Sequence, residues 1–166
     1  ISRIHKPALN KIMITASRAG NAGIVWWAIC LPFLINSNWR ATGANFVFGL
    51  AWAHLMGEII IKHIVKRVRP CHTLDDDEQL IDRPRFYSFP SGHTTASFAM
   101  VGVALMRCKV ITFMPILMLA MLIAFSRIYL RVHYLTDVIA GMILGLTCGI
   151  CSVLIFKSYT IGNHIG

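Results

Sequence analysis

The chain has 166 residues, 56% apolar and only 14% charged, with a formal net charge of +9. That length suits a single domain spanning 1–166, and the composition is too apolar for an ordinary soluble domain. The basic excess gathers at the ends of hydrophobic stretches and in one loop, where it meets membrane lipid headgroups or a substrate's phosphates and excludes a nucleic-acid partner.

Residues 1–18 carry Arg3, Lys6, Lys11 and Arg18 beside Leu9, Ile12, Met13 and Ala16, which fall on one helical face. This predicts an interfacial amphipathic helix. Five stretches then lack any Asp, Glu, Lys or Arg: 19–39, 41–57, 86–106, 110–126 and 138–156. Each is 17 to 21 residues long, enough to cross a bilayer as a helix, and so short a chain cannot cover five buried helices with its own polar surface. The predicted spans are 20–36, kinked at Pro32, then 41–65, 92–106, 110–128 and 133–156. The expected fold is an all-α integral-membrane helical bundle of about five to six transmembrane helices. Residues 71–90 form the one long polar loop, and its acidic run Asp75–Glu78 reads as solvated. The five cysteines show neither a disulfide framework nor a zinc-ligand spacing.

Three motifs occur in order: Lys62-x6-Arg69-Pro70, Pro90-Ser91-Gly92-His93, and Ser126-Arg127-x5-His133-x3-Asp137. With alternating spans, all three reach the same membrane face. Lys62 and Arg69 are seven apart, close to two helical turns, and Glu58 precedes Lys62 by four in the favourable order. Lys66 and Arg67 read as cations snorkelling to the interface, and His54, in mid-span, as a core histidine. Ser91 suits an N-cap, and Gly92 clears space where a helix start would bind an anion. His133 and Asp137 share a helix face, so the carboxylate can take the imidazole N–H and make the histidine a nucleophile toward phosphorus. Arg127 adds a planar fork that fits phosphate oxygens, and Ser126 a hydroxyl. Tyr87, Phe86 and Phe89 could form a lip for a lipid chain or an aromatic belt.

These motifs, within residues 62–137, resemble those of the type 2 phosphatidic acid phosphatase (PAP2) superfamily without substitution at a motif position. The resemblance implies that His133 attacks phosphorus and forms a phosphohistidine, that Asp137 orients it, and that His93 is the general acid. Lys62, Arg69, Ser91, Gly92 and Arg127 would hold the phosphoryl oxygens, with no metal and no cofactor. Family members with membrane spans usually have six, one more than is counted here.

The resemblance further implies a lipid phosphate or pyrophosphate substrate. Undecaprenyl pyrophosphate, from cell-wall synthesis, fits a chain of this size. Phosphatidylglycerol phosphate, phosphatidate and a lipid phosphotransferase reaction at the same site are the alternatives. The implied location is the plasma (inner) membrane with the site facing outward. Outside the motifs, nine basic residues lie on the catalytic face and four opposite, which by the positive-inside rule favours a cytoplasmic site; basic residues that serve a phosphate site distort that count.

Overall fold

The computed structural model of the chain describes residues 6–73, 80–82, 84 and 87–162. Among these, the regular elements are helices. α1 (Pro7–Ala19) and α2 (Ile24–Ile35) are joined by a 3-10 turn at Asn21–Gly23. They are followed by α3 (Arg40–Val65), α4 (Gly92–Arg107), α5 (Val110–Tyr129) and α6 (Leu135–Gly162). The acidic run Asp75–Glu78, along with Phe86, lies outside the described residues.

Among the described residues, three helices are long and apolar enough to cross a membrane: α3, α5 and the Leu135–Phe156 part of α6. α1 and α2 make a fourth span if that pair, bent by 58°, is taken as one. The expected count of five is thus corrected downward, for a geometric reason. α2 has 12 residues and α4 has 16, rising only about 18 and 24 Å against a hydrocarbon core of about 30 Å. The N-terminal break also falls elsewhere than expected. Pro32 sits inside α2, and the chain turns where Ala22 and Gly23 adopt positive φ of 50° and 68°.

Most of α4 lies inside the bundle. Thr94, Thr95 and Ser97–Ala104 are all buried. α6 reaches it through Gly141, Gly145 and Gly149, spaced by four. A Cβ at Gly145 or Gly149 would overlap the carbonyl oxygens of Thr95 and Ala99, and one at Gly141 would lie 2.9 Å from the Ser91 oxygen. Small residues at such spacing let two backbones approach closely, the main source of helix association in lipid. This contact fixes the start of α4 against the start of α6. Polar cross-links add to it: Trp26 Nε1 donates to Ser97 Oγ at 3.1 Å and Asn45 Nδ2 to the Ser152 carbonyl at 3.1 Å. The outward faces, such as Val110 and Ile111, are strongly exposed and apolar, as lipid contact requires.

α1 buries Met13, Ala16 and Ser17 and packs on α5. The exit of α3, the start of α4, the exit of α5 and the start of α6 meet at one end. There the Ser88 N–H donates to the Arg67 carbonyl at 2.7 Å, and the Ser91 N–H to the Asp137 carbonyl at 3.0 Å. Leu80 and Ile81, from the stretch read as polar, fold over this end and pack with Met13, Cys71, Tyr129, Leu130 and Val132.

Candidate active site

A cavity of about 1000 Å³ opens at this end, and Lys62, Arg69, Gly92, His93, Arg127 and His133 all line it. The residues come from four separate stretches of chain. Ser91 and Asp137 are fully buried beside the cavity and do not line it.

His133 is placed by a tight connection between α5 and α6. Arg131 takes a positive φ of 54°, and the His133 N–H donates to the Arg127 carbonyl at 3.3 Å. Its Nε2 lies 2.9 Å from Arg69 Nη1. A guanidinium has only donors, so Nε2 must be the accepting nitrogen and Nδ1 carries the hydrogen. Nδ1 faces Asp137 Oδ2 at 3.6 Å, a little beyond hydrogen-bond length. The imidazole therefore presents a lone pair on Nε2 and keeps its N–H toward the carboxylate, the tautomer that a nucleophile needs.

Burial pushes the His133 imidazole down to about 3, with the cations Arg69 and Arg127 acting in the same sense and Asp137 opposing them. The folded-state value is below the ordinary 6.5, so the neutral form persists as pH falls through that value. An unfolded chain would bind a proton there that the folded one refuses, so this group lowers stability as pH drops from 6.5 toward 3. For the free enzyme, kcat/KM should show no acid limb from the nucleophile above about pH 5 once the substrate's own ionisation, followed by phosphorus NMR, is divided out. A limb near 6.5 belonging to His133 would contradict this.

Asp137 is held from three sides. Its Oδ1 accepts from Arg67 at 2.8 Å, and its Oδ2 from the Ser88 hydroxyl and from the Tyr134 N–H at 2.9 Å. Arg67 also donates to Thr136 Oγ1 at 2.7 Å and lies over the Tyr134 ring, 4.0 Å from its centre. The snorkelling role expected for Arg67 is corrected. Its helix ends at Val65, Lys66 takes a left-handed φ of 51°, and the chain turns back so that Arg67 points at the start of α6. The same turn changes how Arg69 arrives. It reaches the cavity from this extended segment, donating to the Val132 carbonyl at 3.1 Å, and not from the helix face it was expected to share with Lys62.

Lys62 is buried and pairs with Glu58 at 2.6 Å. Arg127 is buried, its Nη1 donating to Ser17 Oγ, while its Nε has no partner among the described residues. An orphaned N–H at a cavity wall marks a place for an acceptor. His93 Nε2 lies 2.9 Å from Asn21 Oδ1. Gly20 is needed beside it, since a Cβ there would come within 2.7 Å of His93 Cδ2. Ser91 occupies the N-cap position of α4 without a side-chain cap bond; its Oγ accepts from Thr94 Oγ1 at 3.0 Å. The Ser126 hydroxyl donates to the Ile123 carbonyl at 2.6 Å. His54, expected in the core, is exposed and lines the cavity. Tyr87 is exposed, edge-on to His63. Among the described residues, no three His, Cys, Asp or Glu side chains are grouped to hold a metal ion.

The sequence reading missed Ser17, Asn21, Glu58 and Arg67 as parts of this site. Ser17 and Asn21 sit beside the N-terminal break, and the Gly20 and Gly23 that flank Asn21 were its available signal.

The chain is similar to known proteins in sequence and in fold. Residues 42–160 match the family model described as the PAP2 superfamily. The chain is 32% identical over 148 residues to the undecaprenyl-diphosphatase of Sulfolobus acidocaldarius, covering 89% of this chain and 70% of that protein. Among solved structures it is similar to Aquifex aeolicus LpxE, with 25% identity, a TM-score of 0.78, and coverage of 92% of this chain and 89% of that one. It is also similar to a transmembrane PAP2-type phosphatidylglycerolphosphate phosphatase from Bacillus subtilis, with 25% identity, a TM-score of 0.72, and coverage of 94% and 80%. The chain spans 70% of the length of the Sulfolobus relative and 63% of that of a Mycobacterium tuberculosis decaprenylphosphoryl-5-phosphoribose phosphatase.

Proposed function

This chain belongs to the PAP2 superfamily, and from that membership we propose that it removes the terminal phosphate of undecaprenyl diphosphate through a phosphohistidine on His133. It is a membrane phosphatase of lipid phosphates. The observation that carries the mechanism is the meeting of Lys62, Arg69, Arg127, His93 and His133 on one cavity. The choice of lipid is supported by the likeness to the Sulfolobus protein.

The terminal phosphoryl group enters between the cations, and its oxygens take N–H groups from Lys62, Arg69, Arg127 and the first turn of α4, whose N–H groups have no acceptor within the helix. Arg69 now donates to substrate oxygen, which frees the Nε2 lone pair of His133. Nε2 bonds to phosphorus as the bond to the bridging oxygen breaks. That oxygen leaves with the proton from His93. Asp137 stabilises the positive charge that develops on the His133 ring. Water then attacks phosphorus, His93 takes its proton, and orthophosphate departs as the N–P bond breaks.

The test is phosphate release in detergent with EDTA present, comparing undecaprenyl diphosphate, phosphatidylglycerol phosphate and phosphatidate. The first should have the largest kcat/KM; a larger value for phosphatidylglycerol phosphate would move the assignment toward the activity named for the Bacillus structure. We place the site on the outer face of the plasma membrane. A cysteine put at exposed His72 should then react with a membrane-impermeant maleimide in intact cells, and protection there would reverse the orientation.

A further inference from the structure

The cavity of a phosphate-binding enzyme contains a carboxylate with no place in the reaction just described. Glu58 lines it and lies 2.6 Å from the Lys62 ammonium. It also lies directly over the start of α4, so that a methyl group at Gly92 would overlap its Oε1. The carboxylate therefore stands between a cation and a helix start, the two groups assigned to hold phosphoryl oxygens. The backbone there is unusual. Leu55–Ile61 is π-helical within α3, a rare form that recurs at functional sites. Glu58 sits within this wide turn and Lys62 just beyond it.

A carboxylate and a phosphoryl group present similar oxygens to the same donors, and both cannot occupy that position. Resting on the lipid phosphatase reading, we propose that Glu58 is a tethered competitor for the phosphate subsite: it occupies the Lys62–Gly92 position when the site is empty and returns to it to expel orthophosphate. The physical need is clear. Three buried cations that stabilise a transition state also hold the product anion. An anion fixed to the neighbouring turn acts at high effective concentration, because it need not diffuse in. It weakens every phosphate ligand by the same factor, and the substrate recovers that loss through its lipid tail, which free orthophosphate lacks.

The test uses Glu58→Gln and Glu58→Asp in the full-length chain, with orthophosphate and vanadate as ligands. Gln keeps an acceptor for Lys62 but loses the charge. Asp keeps the charge but is one methylene shorter. Binding is read directly by thermal shift in detergent, and inhibition constants are taken with the lipid substrate. Glu58→Gln should bind both anions about tenfold more tightly, and its kcat should fall as orthophosphate release slows. Glu58→Asp should lie between that variant and the unaltered protein.

Equal affinities in all three proteins, or weaker anion binding in Glu58→Gln, would overturn the proposal and leave Glu58 a partner that holds Lys62 in place. Binding only after the Gln substitution would support it in its strongest form. If neither the unaltered protein nor the variant binds phosphate or vanadate, the phosphate-site reading falls and this proposal falls with it. Melting temperature without ligand shows whether a variant is folded, and the Asp variant keeps the comparison open if Gln does not fold.

Discussion

Replacing His133 with alanine should lower kcat by at least about 10⁴-fold while leaving orthophosphate and vanadate binding within an order of magnitude of the unaltered protein. The two halves of this expectation rest on different atoms. Binding comes from the cations around the cavity, none of which is removed. Turnover needs a lone pair on the cavity wall, and His133 supplies one at Nε2, facing Arg69 at 2.9 Å. Removing the ring should also abolish the covalent intermediate. Brief mixing of the unaltered protein with phosphorus-labelled substrate, followed by alkaline quenching, should leave acid-labile label on the protein, and the variant should carry none. Residual turnover above one part in a hundred, or label retained without His133, would mean that water attacks the lipid phosphate directly or that His93 is the nucleophile. Cavity formation should matter less to stability here than at a core apolar site, because the ring borders open space.

The motif residues were legible because their chemistry depends on residue type and on which end of a span they occupy. Both are visible in a sequence whose apolar stretches are well marked. Span alternation brought Lys62, His93, Arg127 and His133 to one face, and the cavity contains all four. What failed was the geometry past the end of α3. Lys62 and Arg69 were read as two turns of one helix, but the helix ends between them, at Val65. That ending sends Arg67 to Asp137. The bounds expected for α4 were close, but a helix of that length was read as a full span, though Thr94, Thr95 and Ser97 mark a helix buried among others. The glycines at 141, 145 and 149 would have identified α6 as its partner. Ser17 and Asn21 could not have been assigned from spacing, since they reach Arg127 and His93 from 110 and 72 residues away.

Asp137→Asn should reduce kcat by about 10³-fold with little change in KM. The substitution keeps shape and removes charge, so its effect isolates what the carboxylate does. Asp137 accepts at both oxygens: from Arg67 at Oδ1, and from Ser88 and the Tyr134 N–H at Oδ2. An amide has one acceptor. If its oxygen takes the Oδ2 position, its NH₂ faces the Arg67 guanidinium; if it takes Oδ1, its NH₂ faces the Tyr134 N–H and the His133 Nδ1 hydrogen. The first arrangement keeps the His133 tautomer but gives the charged intermediate no counterion. The second also drives the hydrogen to Nε2 and removes the nucleophilic lone pair. Either way the loss falls on the chemical step, so phosphate affinity should hold while phosphoenzyme formation slows. Arg67→Met provides the comparison. It leaves the carboxylate in place and removes one of its three donors, and Arg67 is partly exposed, so water can replace it. Its loss should be about tenfold, far short of that for Asp137→Asn. Equal losses in the two variants would mean that Asp137 acts mainly by anchoring Arg67 and the α3–α4 connection. A tenfold or smaller loss in Asp137→Asn would mean that the charge on Asp137 contributes little, and that the cations alone sustain the phosphohistidine.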